Sequence, residues 1–421
     1  MNRNLSPWLW VPTLYLAEGI PYFLVNTIAL IMFKDMGMDN GTLALVTSLI
    51  SLPWVLKPFW SPFVDILRSK RWWVVAMQAA MAVSVALIAF SVNLPVLGVS
   101  LAFFVLTAFA SATHDIAADG FYMLALDNHK QSAFIGIRNT FYRIAMVFGQ
   151  GVLVVLAGWL EKRSGSIPLA WSITLGSCAL LLGLASFWHS RTLPRPSDDG
   201  RASAITPREV FKEFGRAFAT FFTRREIWIA MAFMLLYRLP EALSVKMLYP
   251  FFKDGSDMGG LGLGAQEFGL LYGTFGVIAL LAGGILGGLA SSKAGLRKMM
   301  WPMAASLALP CAVYLIMAIL RPASLILIGA LICFDQFGYG FGFTAYTLYM
   351  MYFSSGEFKT SHYAICTAFM AMSMMLPGLA AGYLQQSLGY VGFFILVMLC
   401  CLATFAVTFF ARKGVSPDYG K

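Results

Sequence analysis

Apolar stretches long enough to cross a lipid bilayer follow one another along most of this chain. Hydrophobic residues make up 59% of the 421 positions and charged residues only 12%, whereas soluble domains carry about 25% charged residues. Inside lipid, only helices and closed barrels satisfy their backbone polar groups, and a spanning helix needs about 20 residues. The sequence therefore predicts an all-α membrane protein with twelve transmembrane helices, near residues 8–33, 42–63, 73–92, 97–126, 132–160, 168–189, 227–252, 264–290, 301–320, 323–353, 363–386 and 390–411.

Basic side chains are distributed unevenly among the loops between these helices. The chain has 30 Lys and Arg residues, and most of those outside the spans lie at the two ends of the chain and in alternate loops, including the long 190–226 segment. This bias predicts a multi-pass protein with both termini in the cytoplasm. It also explains the net charge of +10 without a nucleic-acid partner. The opposite loops hold only Lys34, Lys162, Arg163, Lys253 and Arg321.

Neither a metal site nor a disulfide framework is indicated. All six cysteines fall within predicted spans, and no CxxC or Cys/His ligand spacing occurs. We therefore expect no metal and no cofactor. The first span lacks the basic start and the small-residue cleavage site of a signal peptide, so we expect it to be retained.

The longest polar stretch divides the predicted spans into two sets of six. We expect an N-terminal half at 1–190, a cytoplasmic linker at 191–226 and a C-terminal half at 227–421. Thr206, Pro207 and Glu209 form a helix-start signal inside the linker. Phenylalanines then recur at helical spacing, which predicts an amphipathic helix on the cytoplasmic membrane surface, or else an extension of the seventh span. They are Phe211, Phe214, Phe218 and Phe221.

Ten charged side chains lie inside the otherwise apolar spans. A charge at bilayer depth costs roughly 3 kcal/mol, so this set indicates a polar interior, and the equal numbers of acids and bases indicate mutual pairing. The pattern is typical of a transporter, although buried ion pairs that only hold helices together are the alternative. The residues are Glu18, Asp115, Asp119, Glu241 and Asp335, with Lys57, Arg138, Arg143, Arg238 and Lys246.

Spacing assigns expected roles within this set. Asp115 and Asp119 are four residues apart and share a helix face, as do Arg238 and Glu241 at three apart. Neighbouring carboxylates favour a proton-carrying site, so we predict proton coupling by the acidic set, with this aspartate pair first.

Two loops carry a repeated pattern, at 65–71 after the second span and 291–298 after the eighth. Both resemble the loop signature of the major facilitator superfamily, although the acidic position survives only in the first copy. The resemblance implies two six-helix halves, with spans one, four, seven and ten lining a central cavity. It also implies a gating loop that contains Asp65, Arg68, Arg71 and Arg297.

Longer motifs resemble the AmpG-type muropeptide permeases. The matching segments are Ala17–Pro21, Lys57–Asp65, Ala110–Asp119, Tyr237–Ala242 and Asp335–Gln336. The resemblance implies proton-driven import of N-acetylglucosaminyl-anhydro-N-acetylmuramic acid, with or without its peptide, across a bacterial inner membrane. We expect a monomer in the lipid bilayer. Glu18 and the Thr113–His114 pair depart from the family pattern and put the substrate or its coupling in doubt.

An acidic glycan of this kind suits basic side chains for its carboxylate and aromatic walls for its rings. For the substrate that the resemblance implies, we expect Arg143 or Arg238 to bind the carboxylate. The remaining substrate-binding candidates are Lys57, Arg138, Lys246 and Gln336, with Tyr15, Tyr22, Tyr122, Tyr142, Tyr237, Tyr339 and Tyr346.

Two alternative functions remain open at this point. One is a carrier of a different organic anion, such as an acyl-CoA or a siderophore. The other is a membrane-embedded acyltransferase that uses His114 with Asp115. Neighbouring residues on a helix point about 100° apart, which makes these two a poor base and orienter.

Overall fold

A computed structural model of the chain describes residues 6–94, 97–126, 128–196, 199, 207–356 and 359–419. Eleven helical stretches in this part of the chain are long and apolar enough to cross a membrane. The final stretch contains both of the last two predicted spans, because the assigned helix continues through Gly389, which has a non-helical φ of 66°. The all-helical membrane fold is thus confirmed.

Eighteen α-helices are assigned in these residues, and several spans consist of two of them. In chain order they are α1 Val11–Phe23, α2 Ala29–Asp35, α3 Asn40–Leu49, α4 Leu52–Leu67, α5 Lys70–Ser91, α6 Leu97–Ala125, α7 Asn128–Val147, α8 Val154–Ser164, α9 Ile167–Thr192, α10 Pro207–Phe222, α11 Ile227–Leu236, α12 Leu239–Lys253, α13 Ala265–Phe268, α14 Val277–Ala294, α15 Leu296–Ala308, α16 Ala312–Leu320, α17 Leu325–Phe353 and α18 Lys359–Gly414.

The chain forms two compact units. Unit 1 comprises Met1–Met32 and Leu56–Glu213. Within it, α5 packs along α6 and α9, and α1 packs on α7 and α6. Trp10 and Phe121 are fully buried where α1 meets α6, and their ring centroids lie 5.3 Å apart.

Unit 2 comprises Phe33–Val55 and Phe214–Lys421. Within it, α17 packs on α14 and α15, and α18 packs on α12, α11 and α3. The contact of the third span with the fourth, α5 on α6 in unit 1, recurs as α15 on α17 in unit 2. An internal repeat of six spans predicts such a correspondence.

The segment 33–55 packs with helices that are distant in sequence. Helix α3 approaches α18 closely because glycines face each other there: a Cβ at Gly382 would collide with the carbonyl oxygen of Asn40 and lie 2.8 Å from Gly41 Cα. The division into halves at 1–190 and 227–421 stays a prediction, and the compact units differ from it in this segment.

Several spans are interrupted where ionisable residues lie. Pro21 is inside α1, and a π-helical stretch, Leu24–Ile28, follows it. The seventh span breaks between α11 and α12, where Arg238 has φ −102° and ψ 13° and Pro240 occupies the first turn of α12. Because proline removes a backbone donor and clashes with the preceding turn, the sequence around Arg238 favours a new helix start at this residue.

The linker contains the predicted helix, α10. Thr206 lies outside the described residues, and the helix begins at Pro207. Its second half belongs to unit 2 and packs there, since Phe221 is fully buried and the Ala217 carbonyl accepts a 3.0 Å hydrogen bond from His362 Nε2. Phe211, by contrast, remains 43% exposed. The location of α10 on a membrane surface stays a prediction.

Candidate functional site

The charged residues of unit 1 form two ion pairs on α6. Arg138 Nη2 of α7 lies 2.6 Å from Asp119 Oδ1, and Lys57 Nζ of α4 lies 3.8 Å from Asp115 Oδ2. Because the two aspartates are one helical turn apart, they face different bases on the same side of α6. The Asp119 side chain is 44% exposed, so this cluster is not closed off by the rest of unit 1.

Two of the predicted tyrosines surround the Asp119 pair. The Tyr15 hydroxyl donates to Asp119 Oδ1 at 3.4 Å. The guanidinium carbon of Arg138 lies 4.4 Å from the ring centre of Tyr15 and 5.6 Å from that of Tyr122. Aromatic faces attract a cation in this geometry. The tyrosines therefore hold Arg138 in place beside the carboxylate.

Glu18 of α1 adds a third carboxyl group to this cluster. It is only 6% exposed, and its Oε2 atom has no hydrogen-bond partner among the described residues. Asp119, Asp115 and Arg138 all lie within electrostatic range of it. An unpartnered buried carboxyl oxygen is costly unless the group holds a proton or gains a partner during function.

Unit 2 contains a second charged cluster at the break between α11 and α12. Arg238 donates from Nε and Nη2 to the two oxygens of Glu241, at 2.8 and 3.1 Å. Its Nη2 atom also donates to the Tyr339 hydroxyl at 2.7 Å. The arginine is 6% exposed and covered by the ring of Phe343 at 4.8 Å.

A narrow cleft with room for about one water molecule lies next to this pair within unit 2. Glu241, Tyr339, Asp335 and Gln336 line it. Asp335 Oδ2 accepts hydrogen bonds from the Tyr314 hydroxyl at 2.6 Å and from Gln336 Nε2 at 3.1 Å. The cleft also has lining residues that sequence reasoning missed: Ser244, Tyr272 and Tyr314.

Two predicted sugar-binding tyrosines belong to the packed core instead. Tyr237 and Tyr346 are fully buried, and their rings lie nearly parallel with centroids 5.7 Å apart. The Tyr237 hydroxyl donates to the Gly342 carbonyl and the Tyr346 hydroxyl to the Met234 carbonyl. Because each polar tip is already bonded to backbone, neither ring faces a cleft.

Three further candidates lie on the first and fifth spans of unit 1. Tyr22 and Tyr142 are half-buried on either side of Phe23, whose ring centre is 5.2 Å from the first and 5.8 Å from the second. Arg143 follows on α7 and is exposed. The structure thus brings Tyr15 and Tyr122 against the charged cluster, while these three lie on neighbouring turns.

The predicted gating-loop residues have structural contacts. Arg71 Nε donates to the Leu193 carbonyl at 3.2 Å, and its Nη2 atom donates to the Ser190 carbonyl, which joins the start of α5 to the end of α9. Arg68 is exposed with its guanidinium 5.9 Å from the Trp72 ring. The Arg297 carbonyl accepts from Arg412 Nε at 2.9 Å. The side chain of Asp65 lies outside the described part of the chain.

Unit 2 also contains a buried polar network that the sequence did not predict, here called the α3 network. Lys34 Nζ lies 2.6 Å from Asp254 Oδ1. Asn40 Nδ2 donates to Gln385 Oε1 at 2.7 Å and to Asp254 Oδ2 at 3.2 Å, and the Tyr390 hydroxyl donates to the same Asp254 oxygen. Asp35 makes similar contacts nearby. Its Oδ1 atom lies 2.9 Å from Lys253 Nζ and accepts a hydrogen bond from the Tyr249 hydroxyl.

His114 belongs to a different hydrogen-bonded chain inside unit 1. Gln78 Nε2 lies 3.0 Å from His114 Nε2, and Gln78 Oε1 lies 2.9 Å from His189 Nδ1. His189 Nε2 in turn lies 2.9 Å from Thr13 Oγ1. His114 therefore faces Gln78, whereas Asp115 faces Lys57. This geometry opposes the acyltransferase pairing.

Comparison with known proteins places this geometry in context. The sequence model described as Major Facilitator Superfamily matches residues 13–361. The chain is 24% identical over 386 residues to the anhydromuropeptide permease of Escherichia coli (strain K12), covering 90% of this chain and 74% of that protein. It is 23% identical over 416 residues to putative transporter AmpG 4 of Rickettsia conorii, covering 95% of each. Among solved structures, the D-xylose–proton symporter superposes with a TM-score of 0.71 at 12% identity, covering 98% of both chains.

Proposed function

This chain belongs to the major facilitator superfamily of membrane transporters, and on that basis we propose that it imports muropeptide-type glycans together with protons. The protein is a multi-pass carrier of a small molecule rather than an enzyme. The proposal adds the substrate, an N-acetylglucosaminyl-anhydro-N-acetylmuramic acid with or without its peptide, and the coupling ion.

The observation that carries the proposal is the unit 1 cluster, in which three carboxyl groups share two bases. Asp115 pairs with Lys57 and Asp119 with Arg138, while Glu18 keeps an oxygen without a hydrogen-bond partner among the described residues. Three carboxylates against two bases leave one negative charge in excess. A proton on one carboxyl removes that excess. Its uptake and release would therefore alternate the net charge of the site.

The groups that line the unit 2 cleft match the chemistry of a glycan, although the cleft has to widen to admit a disaccharide. Sugar hydroxyls donate to carboxylates and accept from amides and phenols, and Asp335, Gln336 and Tyr339 present these groups around one space. Tyr272 adds aromatic surface for the apolar face of a sugar ring. The permease from Escherichia coli, whose name states anhydromuropeptide as its substrate, supports the same chemistry.

Uptake into proteoliposomes tests both parts of the proposal. Labelled anhydromuramyl disaccharide should accumulate when the outside is made acidic relative to the lumen, and a protonophore should abolish the accumulation. A gradient-independent uptake that only equilibrates would contradict proton coupling. No uptake of the disaccharide, with clear uptake of an acyl-CoA or a siderophore, would contradict the substrate and favour another organic anion.

We further propose that the carrier lies in a bacterial inner membrane with both termini in the cytoplasm, working as a monomer. The uneven distribution of Lys and Arg among the loops supports this orientation. Impermeant thiol reagents applied to intact spheroplasts should label single cysteines placed at 36–39, but not those placed at 207–222. Labelling of the second range from outside would reverse the topology.

A further inference from the structure

One of the predicted buried cations differs from its neighbours in what surrounds it. Lys57, Arg138 and Arg238 each have a carboxylate within 4 Å. Lys246 of α12 is 6% exposed, yet within the described residues no carboxylate lies at ion-pair distance from it. A buried ammonium without a counter-charge is strongly disfavoured.

The polar neighbours of Lys246 satisfy it poorly. Its Nζ atom makes one hydrogen bond, to Thr47 Oγ1 of α3, at 3.4 Å. That hydroxyl already donates to the Leu43 carbonyl at 2.8 Å, so only its lone pair is offered to the ammonium. An ammonium has three N–H donors. Most of the donor capacity of Lys246 is therefore unused.

A second unused donor lies beside it. Ser48 is fully buried, and its Oγ atom has no hydrogen-bond partner among the described residues. The side chains of Ser48 and Lys246 approach the same glycine, Gly378 of α18. A Cβ there would collide with Ser48 Oγ and lie 3.1 Å from Lys246 Cε. Two unfilled donors thus converge where α18 has no side chain.

We propose that Lys246, Thr47 and Ser48 form a binding site for one monovalent anion within unit 2. The charge of Lys246 sets the sign of the ligand, and its single charge matches a carboxylate or a chloride ion. The hydroxyl of Ser48 adds a short-range donor of the kind that oxygen and halide anions accept. Thr47 accepts from Lys246 and so helps to position the ammonium. The absence of a Cβ at Gly378 lets Ser48 and Lys246 pack directly against the backbone of α18.

Two sources can supply such an anion. The first is the lactyl or peptide carboxylate of the transported glycan, which rests on the proposed function and requires α3 to separate from α12 so that the glycan reaches Lys246. The second is free chloride, which needs much less space. In both cases the anion binds to Lys246 and not to Arg238, whose charge Glu241 already balances.

Binding measurements on Lys246→Met test the carboxylate source. The variant keeps an unbranched side chain and removes the charge. We expect its Kd for anhydromuramyl disaccharide to rise roughly ten- to one-hundredfold, the range of one charge-assisted hydrogen bond. The analogue in which the carboxylic acid is reduced to the alcohol should bind to Lys246→Met with the same Kd as to the wild-type protein. Lys246→Arg, which keeps the charge, should lose less affinity for the disaccharide than Lys246→Met. The exposed Lys298→Met serves as the control.

Thermal unfolding in chloride and in gluconate tests the second source. If the site holds chloride, the wild-type protein should unfold at a higher temperature in chloride, and Lys246→Met should lose this difference. Ser48→Ala is the second variant, because it removes one neutral donor and leaves the fold and the charge in place. Ser48→Ala should lower the affinity for the same anion by a few-fold.

The two sets of measurements separate the failure of this proposal from that of the proposed function. Wild-type protein that neither binds nor transports the disaccharide overturns the substrate, and the chloride measurements then decide the site alone. Unchanged disaccharide affinity in folded Lys246→Met and Ser48→Ala, together with no chloride dependence in the wild type, overturns the anion site.

Discussion

Arg238 and Glu241 are three residues apart on the seventh span and meet through two hydrogen bonds, at 2.8 Å from Nε and 3.1 Å from Nη2. The guanidinium fork is therefore already filled by a carboxylate. A substrate acid that approached Arg238 would have to displace Glu241. The pair thus acts first as a structural unit at the helix break.

Removing one partner of the Arg238–Glu241 pair should lower the stability of the protein more than removing both. Glu241→Gln leaves Arg238 buried without a counter-charge, which we expect to cost about 3 kcal/mol, the low end of the usual range because the Glu241 side chain is 17% exposed. The double variant Arg238→Met with Glu241→Leu should recover most of this loss. Unfolding in mild detergent measures both, with exposed Glu213→Gln as a control. Equal losses in the single and double variants would contradict a structural pair.

The unit 1 carboxylates give a prediction about coupling. Asp115→Asn and Asp119→Asn should each abolish gradient-driven accumulation, because an amide cannot take up or release a proton at physiological pH. Exchange of substrate without a gradient should persist, since the amides keep polar contacts with Lys57 and Arg138. Exposed Asp257→Asn is the matched control. Normal accumulation by both variants would move the proton site to Glu18, Glu241 or Asp335.

The glycine contact between α3 and α18 predicts opposite effects of one added methyl group. Gly382→Ala would drive a Cβ into the Asn40 carbonyl oxygen, and overpacking of this kind typically costs about 1–3 kcal/mol. Gly288→Ala meets no heavy atom within 4 Å and should stabilise α14 by about 0.5–1 kcal/mol through its helix propensity. The unfolding temperatures of the two variants, compared with that of the wild-type protein, test both expectations. The same unfolding temperature for both would mean that α3 does not pack as described.

Asp39 gives a prediction with a defined dependence on pH. Its carboxylate caps α3 by accepting from the Thr42 backbone N–H at 3.0 Å, and that bond lowers the pKa of Asp39. Because the folded pKa lies below the unfolded one, the stabilisation is present above about pH 4 and is lost as the pH falls through the folded value. Asp39→Ala should therefore cost about 0.5–1 kcal/mol at neutral pH and progressively less in acid.

The cap prediction has a direct control in the same position. Asp39→Asn keeps an N-cap acceptor but does not titrate, so its stability relative to Asp39→Ala should not vary with pH. Unfolding temperatures of the three proteins between pH 3 and 7 provide the comparison. A cost for Asp39→Ala that stays constant down to pH 3 would contradict a contribution from the charged carboxylate.

The spans and their charges were accessible from the sequence because both depend on local properties. Twenty apolar residues identify a span, and Asp115 and Asp119 share a face by spacing alone. The break at Arg238 also has a local signal in Pro240, although sequence reasoning treated the span as continuous. The burial of Tyr237 and Tyr346, by contrast, does not follow from the local sequence. A ring in a span faces either a cleft or a neighbouring helix, and only the packing of α11 against α17 decided that both are core residues.

Two buried networks were missed for a related reason. Gln78 and His189 are single polar residues in different spans, and nothing in their spacing joins them to His114. Asp35 and Asp254 were assigned to loops, although their partners Lys253 and Tyr390 bury them. A lone amide deep in an apolar span, such as Gln78, is the one signal that could have indicated a hydrogen-bonded chain, because it must find partners there.

The α3 network also constrains the order in which the protein assembles during synthesis. Asn40 leaves the ribosome early, but its partners Asp254, Gln385 and Tyr390 are made more than two hundred residues later. Until then the amide of Asn40 and the ammonium of Lys34 have to be hydrated or held by the insertion machinery. A chain cut in the linker and expressed as two polypeptides would therefore leave the second fragment with an unfilled groove along α18, which only residues 33–55 of the first fragment can fill.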